Sequence, residues 1–180
     1  MCIRDSIGDV FLLKYALGNL RAQGKVKKPL PVYLPAAPEE IAGQFAGPEF
    51  ELHWVHREER HRIGETGVTF EEMTHPVPSY AVKIEAGGKT FVYSGDTNKN
   101  SRLAKFAAGA DLFLVDGGLL SGGAGAPHLT AKEAAQIARE AGAKKTIITH
   151  LSPLYEEEEY GRQAGSRAEI AKPGAYYQIE

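Results

Sequence analysis

Residues Lys89–Thr97 read Lys-Thr-Phe-Val-Tyr-Ser-Gly-Asp-Thr, and the predicted fold is built around them. The apolar centre, Phe91–Tyr93, is bounded by glycines on both sides, which predicts a buried strand. This strand leads to the carboxylate of Asp96. A carboxylate at the end of a buried strand must be paired, hydrogen-bonded or bound to a metal, because desolvating it alone costs several kcal/mol. The simpler interpretation is that Asp96 caps the following helix.

Further strands and helices are predicted along the whole chain. The strands are Pro31–Pro35, Phe50–His56, Val68–Met73, Tyr80–Ile84, Leu112–Val115, Lys145–Thr149 and Ala175–Ile179. The helices are Ile7–Leu20, a short one opening at Pro38, Ser101–Ala108, and one that runs from the capping box at Thr130 to Ala141. Hairpin-like strands in the middle, followed by strands that alternate with helices, predict an α/β protein with mixed sheets covered by helices.

Several side chains with useful chemistry lie at or near the predicted strand ends: His75, Asp96, Asp116, His128 and His150. Ligand sites of open sheets gather where strands end, so we expect these residues to converge. Imidazoles and carboxylates together suit a borderline metal such as zinc. Taken singly, each histidine is more often a hydrogen-bonded structural residue. The remaining histidines, His53, His56 and His61, lie in a charged segment and are interpreted as solvated surface residues.

Composition limits the class of protein. The chain has 180 residues, which fits one domain, and a net charge of −2, which favours neither nucleic acid nor an anionic membrane as partner. The single cysteine, Cys2, excludes internal disulfides and suits a reducing compartment, so we expect a cytoplasmic protein. No apolar run approaches the roughly 20 residues that a membrane helix needs.

Four segments in order resemble the metallo-β-lactamase superfamily, and most closely its ribonuclease Z-like branch of metal-dependent hydrolases. They are Thr74–Ile84, Phe91–Thr97, His128–Ala135 and Thr146–Pro153. Each segment is only moderately specific, but their order is a strong signal. The resemblance extends over about residues 7–180. It implies an αββα sandwich of two mixed sheets with helices outside.

The resemblance also implies a site with two zinc ions and no other cofactor. His75 and His150 resemble histidine ligands, and Asp96 resembles the carboxylate that bridges both metals. His128 resembles the non-ligand histidine that stabilises or protonates the leaving oxygen, and Asp116 resembles the acid that orients it. A carboxylate can bridge two cations where an imidazole cannot, and paired zinc ions activate water and clamp a phosphate or ester.

One departure from the family pattern concerns the start of the chain. The motif His-x-His-x-Asp-His is absent, and residues 2–9 stand where it would precede the first helix. We therefore expect residues 1–180 to form a single truncated domain, with residues 1–6 a foreign or artefactual start. Such a chain would hold zinc weakly or not at all and would not hydrolyse substrate. Its exposed sheet edge would favour aggregation or pairing as a homodimer.

A second departure concerns the substrate. Members that process tRNA carry a long arm between their third motif and the bridging aspartate, whereas His75 and Asp96 lie only 21 positions apart. With the acidic net charge, this spacing favours a small phosphodiester or ester as substrate over tRNA. The alternatives are a tRNA 3′-end processing endoribonuclease, a non-enzymatic relic of the fold and a generic α/β binding module.

Overall fold

The computed structural model describes residues 8–122 and 125–179. The chain divides into two compact units, Met1–Val55 and His56–Glu180. Each unit contains its own cluster of buried apolar side chains. The prediction of one domain over residues 1–180 stays a prediction, and residues 1–6 and Ile7 lie outside the described residues. No helix in the described part of the chain is long and apolar enough to cross a membrane.

The first unit pairs two parallel strands. Its elements are α1 (Gly8–Ala22), β1 (Leu30–Leu34), α2 (Glu39–Ala42), a 3-10 turn at Gly43–Phe45, and β2 (Phe50–Trp54). Leu34, Phe45 and Phe50 form the core, against which Val10 and Leu17 of α1 pack. The apolar residues of α1 contribute to this core only in part, because Leu13 is 43% exposed. In the described residues this small sheet consists of two parallel strands.

The second unit contains a seven-stranded mixed sheet. In chain order its elements are β3 (Arg60–Ile63), β4 (Thr66–Glu72), β5 (Tyr80–Ala86), β6 (Lys89–Tyr93), α3 (Leu103–Phe106), β7 (Leu112–Asp116), α4 (Ala131–Ala141), β8 (Lys145–Thr149), α5 (Glu157–Ala164), a 3-10 turn at Gly165–Arg167, and β9 (Glu169–Ile170). The strands lie side by side in chain order. Neighbours are antiparallel from β3 to β6 and parallel from β6 to β9.

The sheet topology gathers several strand ends at one edge. Because β4 and β6 are both antiparallel to β5, they run in the same direction as each other, and β7 and β8 run parallel to β6. The carboxyl ends of these four strands therefore share an edge. The hairpin between β5 and β6 lies at the opposite edge. It turns at Gly87 and Gly88, whose φ values of 56° and 74° are accessible to glycine without steric cost.

Helix α4 packs on the sheet through small residues. Ala131, Ala134 and Ala138 are at most 4% exposed, beside the fully buried Phe113 and Val115 of β7. Alanine lets the helix lie close to the strands and still favours helix formation. The predicted capping box and the glycine stop of this helix are both confirmed: the Thr130 hydroxyl accepts the Glu133 amide, and Gly142 has a φ of 63°.

Some predicted elements are wrong or incomplete. Residues Ala175–Ile179 form no strand, and the short β9 takes the sheet edge instead. The helix predicted over Ser101–Ala108 is confined to α3, because the Asn100 side chain accepts the Arg102 amide and forms a turn first. Strand β3 and helix α5 were not predicted, since charged residues obscure the apolar pattern of both segments.

Candidate metal centre

Asp96 lies in the turn that follows β6. The Ser79 hydroxyl donates to the Asp96 carbonyl oxygen at 2.7 Å and ties this turn to the start of β5. Gly95 has a φ of +62°, and a Cβ there would lie 2.7 Å from the Tyr80 carbonyl oxygen. Only glycine fits this close approach, so the turn presents the half-buried Asp96 carboxylate at a fixed place on the edge.

Asp116 ends β7 and is 1% exposed. Its Oδ2 accepts the Thr97 amide at 2.9 Å and lies 2.8 Å from His128 Nδ1, while its Oδ1 accepts the Gly118 amide at 3.1 Å. These donors replace the water that burial removes, so the site can hold a buried carboxylate. With Nδ1–H bound to Asp116, neutral His128 has its lone pair on Nε2.

His150 follows β8 and has a φ of 64°, a conformation that non-glycine residues seldom adopt. Its Nδ1 lies 3.5 Å from Asp116 Oδ1 and 3.6 Å from Asp96 Oδ1. The hydrogen bond to Asp116 raises the pKa of His150, and both negative charges add to this rise, although desolvation opposes it. His150 thus lies beside both strand-end carboxylates.

His75 and His128 complete the group of imidazoles. The Nδ1 of His75 lies 3.3 Å from the Val77 carbonyl oxygen and 3.4 Å from the Val77 amide nitrogen, so this backbone holds the ring in either tautomer. The ring centroid of His128 is 5.4 Å from that of His75 and 4.4 Å from that of His150. The imidazole of His128 therefore lies beside both of the others.

Two groups of three side chains could each hold a cation. In His75, Asp96 and His128, one ligand atom per residue lies within 4.8 Å of the others, and the same is true of Asp116, His128 and His150. Imidazole nitrogens with carboxylate oxygens are the donor set of catalytic zinc, which uses three protein ligands and an open position. The residues present therefore fit a divalent metal. The structure brings all five predicted residues together, and their individual roles stay predictions.

Some residues that support the site were not predicted from the sequence. Thr97 and Gly118 hold Asp116 through backbone amides, and they lie next to predicted residues without any chemical signature of their own. The fully buried Tyr160 donates its hydroxyl proton to the Gly118 carbonyl at 2.9 Å and accepts the Ser152 amide at 3.0 Å. It thereby links the loops that follow β7 and β8. No local sequence pattern indicates this long-range contact.

Tyr93 lies near the carboxylates but is not a candidate base. Burial raises the pKa of Tyr93 to about 12, with smaller contributions from the charges of Asp96 and Asp116. The phenol therefore stays neutral at physiological pH.

The remaining histidines lie outside the two groups. His56 is exposed, as expected, and His53 stacks on Tyr33 with ring centroids 4.8 Å apart. The interpretation of His61 as a solvated residue is wrong. Its side chain is 15% exposed and meets the Phe70 ring edge-on at 5.6 Å, because β3 places it on the sheet.

Comparisons with known proteins identify the class of fold. The chain is 27% identical to YhfI of Bacillus subtilis, described as a metallo-β-lactamase fold protein, whose crystal structure it matches with a TM-score of 0.88 over 97% of this chain and 74% of that one. A human short-form tRNase Z, at 18% identity and a TM-score of 0.65 over 86% of this chain and 68% of that one, supports the fold alone.

Sequence comparisons identify the family. A model of the β-lactamase superfamily domain matches residues 8–151. The probable metallo-hydrolase YhfI of Bacillus subtilis is 31% identical over 82% of this chain and 62% of its own length. A ribonuclease Z of Brevibacillus brevis is 42% identical over 40% of this chain and 24% of its own length. The chain belongs to the metallo-β-lactamase superfamily, and it spans about three fifths or less of these curated relatives.

Proposed function

We propose that this chain is part of a cytoplasmic, zinc-dependent hydrolase that cleaves a phosphodiester or ester bond of a small substrate. The observation that carries the proposal is the meeting of three imidazoles and two carboxylates at one sheet edge. Family membership among metallo-hydrolases supports the reaction type. His75, Asp96 and His150 are the proposed metal ligands, and a bound divalent metal supplies Lewis acidity and activates water.

His128 and Asp116 are the proposed groups for proton transfer. Asp116 holds Nδ1 of His128 at 2.8 Å, so the ring keeps one orientation and Nε2 is the atom that carries the mobile proton. A protonated His128 donates from Nε2 to the leaving oxygen, and the Asp116 charge stabilises the imidazolium. The low exposure of both side chains strengthens this interaction.

We further propose that the chain as printed binds zinc weakly and does not turn over substrate. The sequence lacks His-x-His-x-Asp-His, which in the family supplies most ligands of one metal and some of the other. The two groups of described donors share His128, so they do not supply three separate ligands to each of two cations.

A second candidate is tRNA 3′-end processing, which the ribonuclease Z relatives favour. The connection between His75 and Asp96 opposes it, because it consists of β5, a two-glycine turn and β6, with no long arm. Cleavage of precursor tRNA, without cleavage of small diesters, would favour this candidate. A non-enzymatic relic would show neither activity nor metal binding.

Paramagnetic cobalt tests the metal centre without relying on activity. We expect Co²⁺ to broaden the imidazole NMR signals of His75, His128 and His150, while the exposed His56 serves as the internal control. Asp96→Ala should abolish the selective broadening, because the carboxylate between the imidazoles is lost. Equal broadening of all histidines would contradict the metal centre.

The same samples test the predicted inactivity. With zinc present, the protein should hydrolyse bis(4-nitrophenyl) phosphate and 4-nitrophenyl acetate no faster than buffer that contains zinc and no protein. Metal analysis after dialysis should find less than two zinc ions per chain. Two tightly held zinc ions, or hydrolysis that Asp96→Ala abolishes, would show that the prediction of an inactive chain is wrong.

A further inference from the structure

A cleft of about 1440 Å³ lies along α4, and its lining includes none of the five residues of the candidate metal centre. Lys132 and Arg139 of α4 line it, together with Gln163 of α5 and Arg167 of the following 3-10 turn. All four side chains belong to the second unit and lie on helices that pack against each other. The cleft therefore brings together cations that are far apart in the sequence.

Helical spacing places two of these cations on one face. Lys132, Ala135 and Arg139 are related by three, four and seven positions, so they lie above one another on α4. Glu133 lies about a quarter-turn away and pairs with Lys99 at 2.9 Å, on the side of the loop before α3. Glu140, seven positions after Glu133, lies in the same row, lines the same cleft and accepts from Gln136 at 2.6 Å. The basic row of α4, Lys132 and Arg139, thus lies beside an acidic row, and Arg167 lines the same cleft.

Among the described residues, neither Glu133 nor Glu140 pairs with the cations of the basic row. Within residues 8–122 and 125–179, Lys132, Arg139 and Arg167 make no ion pair and no side-chain hydrogen bond. Other cations of this unit are paired, as Lys144 is with Asp111 at 2.8 Å and Arg102 with Glu71 at 2.7 Å. Three unpaired cations around one cleft are unexpected in a chain whose net charge is −2.

Small residues leave room between the cations. Ala135 and Ala164 are 6% and 4% exposed, and neither fills the space that a longer side chain would occupy. Gln163 is fixed at this wall by its bond to the Leu120 carbonyl oxygen at 2.7 Å. The result is a recess with donors at its rim and short side chains at its base.

We propose that this cleft binds a small oligophosphate through Lys132, Arg139 and Arg167. Arginine guanidinium groups match phosphate in bidentate geometry, and lysine adds a mobile positive charge. Seven helical positions separate the Cα atoms of Lys132 and Arg139 by about 10.5 Å along the axis, a span that long side chains can close around a chain of phosphates. This site goes beyond the proposed hydrolysis and does not require it.

Binding of tripolyphosphate to metal-free protein tests the proposal by calorimetry, with chelator removed beforehand. The variant Lys132→Gln, Arg139→Gln, Arg167→Gln should lose about tenfold or more in affinity, because it removes three charge-assisted contacts. NMR amide shifts on addition of tripolyphosphate should centre on Gln136, Gln163 and Arg167. The exposed positions make the substitutions compatible with folding, which an unchanged thermal midpoint verifies.

The matched control removes the same charge elsewhere. Lys25→Gln, Lys27→Gln, Lys28→Gln alters three exposed lysines of the loop before β1 and should leave the affinity within about twofold, since these lysines do not line the cleft. Equal weakening in both triple variants would overturn the proposal, because general charge attraction would then explain binding. So would absence of binding by the unmodified protein. A short single-stranded RNA provides a further test. If it binds more tightly than tripolyphosphate and the cleft variant loses this RNA binding, the assignment to a small ligand is overturned.

Discussion

At the residue scale, Gly118 lies where two backbone segments approach each other beside the candidate centre. Its amide donates to Asp116, and its carbonyl accepts the Tyr160 hydroxyl. A Cβ at this position would lie 2.4 Å from the His150 carbonyl oxygen, well inside van der Waals contact. The loops that follow β7 and β8 can thus lie side by side only with glycine here.

Gly118→Ala should destabilise the protein by about 1–3 kcal/mol, because the added methyl group forces two backbone segments apart. Urea unfolding measures the change. Gly161→Ala is the matched control: no atom lies within 4 Å of its added Cβ, and it sits within α5. This control should stabilise the protein by up to about 1 kcal/mol. Similar effects of both substitutions would contradict the close approach as the cause.

At the scale of elements, β6 and β7 are joined at the sheet edge opposite the candidate centre. The Asp111 carboxylate accepts the Thr90 amide at 2.7 Å and the Lys144 ammonium at 2.8 Å. The bond from Lys144, followed by that from Thr90, lowers the pKa of Asp111 below its ordinary value of 3.8. The ionised form of Asp111 therefore holds three segments together.

This lowered pKa predicts the direction of a pH effect. A group with a lowered folded-state pKa contributes stability above its unfolded pKa and loses it as the pH falls through the folded value. The thermal midpoint of Asp111→Asn should hence lie below that of the unmodified protein at pH 7, and the difference should shrink as the pH falls below 3.8.

Glu65→Gln is the control for this titration. Glu65 is exposed in the turn between β3 and β4 and has no hydrogen bond or ion pair among the described residues. The thermal midpoint of the Glu65→Gln variant should follow that of the unmodified protein across the pH range. A difference for Asp111→Asn that stays constant down to pH 2 would argue against the ionised carboxylate as the source.

At the scale of the whole molecule, metal binding couples to folding. A cation that binds the folded chain and not the unfolded one raises stability in proportion to the logarithm of its concentration above the dissociation constant. Zinc should raise the thermal midpoint only at high concentration, because the proposed site is incomplete. Asp96→Asn should remove this zinc-induced rise, whereas His56→Ala should retain it. If zinc still raises the thermal midpoint of the Asp96→Asn variant, the zinc binds outside the proposed site.

Much of the second unit was predictable because its signals are local. The strand predicted at Phe91–Tyr93, the capping box at Thr130 and the glycine stop at Gly142 each depend on residues within a few positions. Strands β3 and β9 and helix α5 were missed, since their formation depends on partners in the sheet or on packing against α4. The error at Ala175–Ile179 has the same origin: strand propensity without a neighbouring strand forms no ladder.

The candidate centre was likewise predictable from the sequence only in part. The identities and approximate meeting place of His75, Asp96, Asp116, His128 and His150 follow from the sequence, because side chains at the ends of co-directional strands share an edge. The amides that hold Asp116, the Tyr160 link between loops and the basic cleft along α4 depended on the tertiary structure. Local patterns specify which residues a strand or helix presents. Long-range packing alone specifies which backbone donor or distant cation it meets.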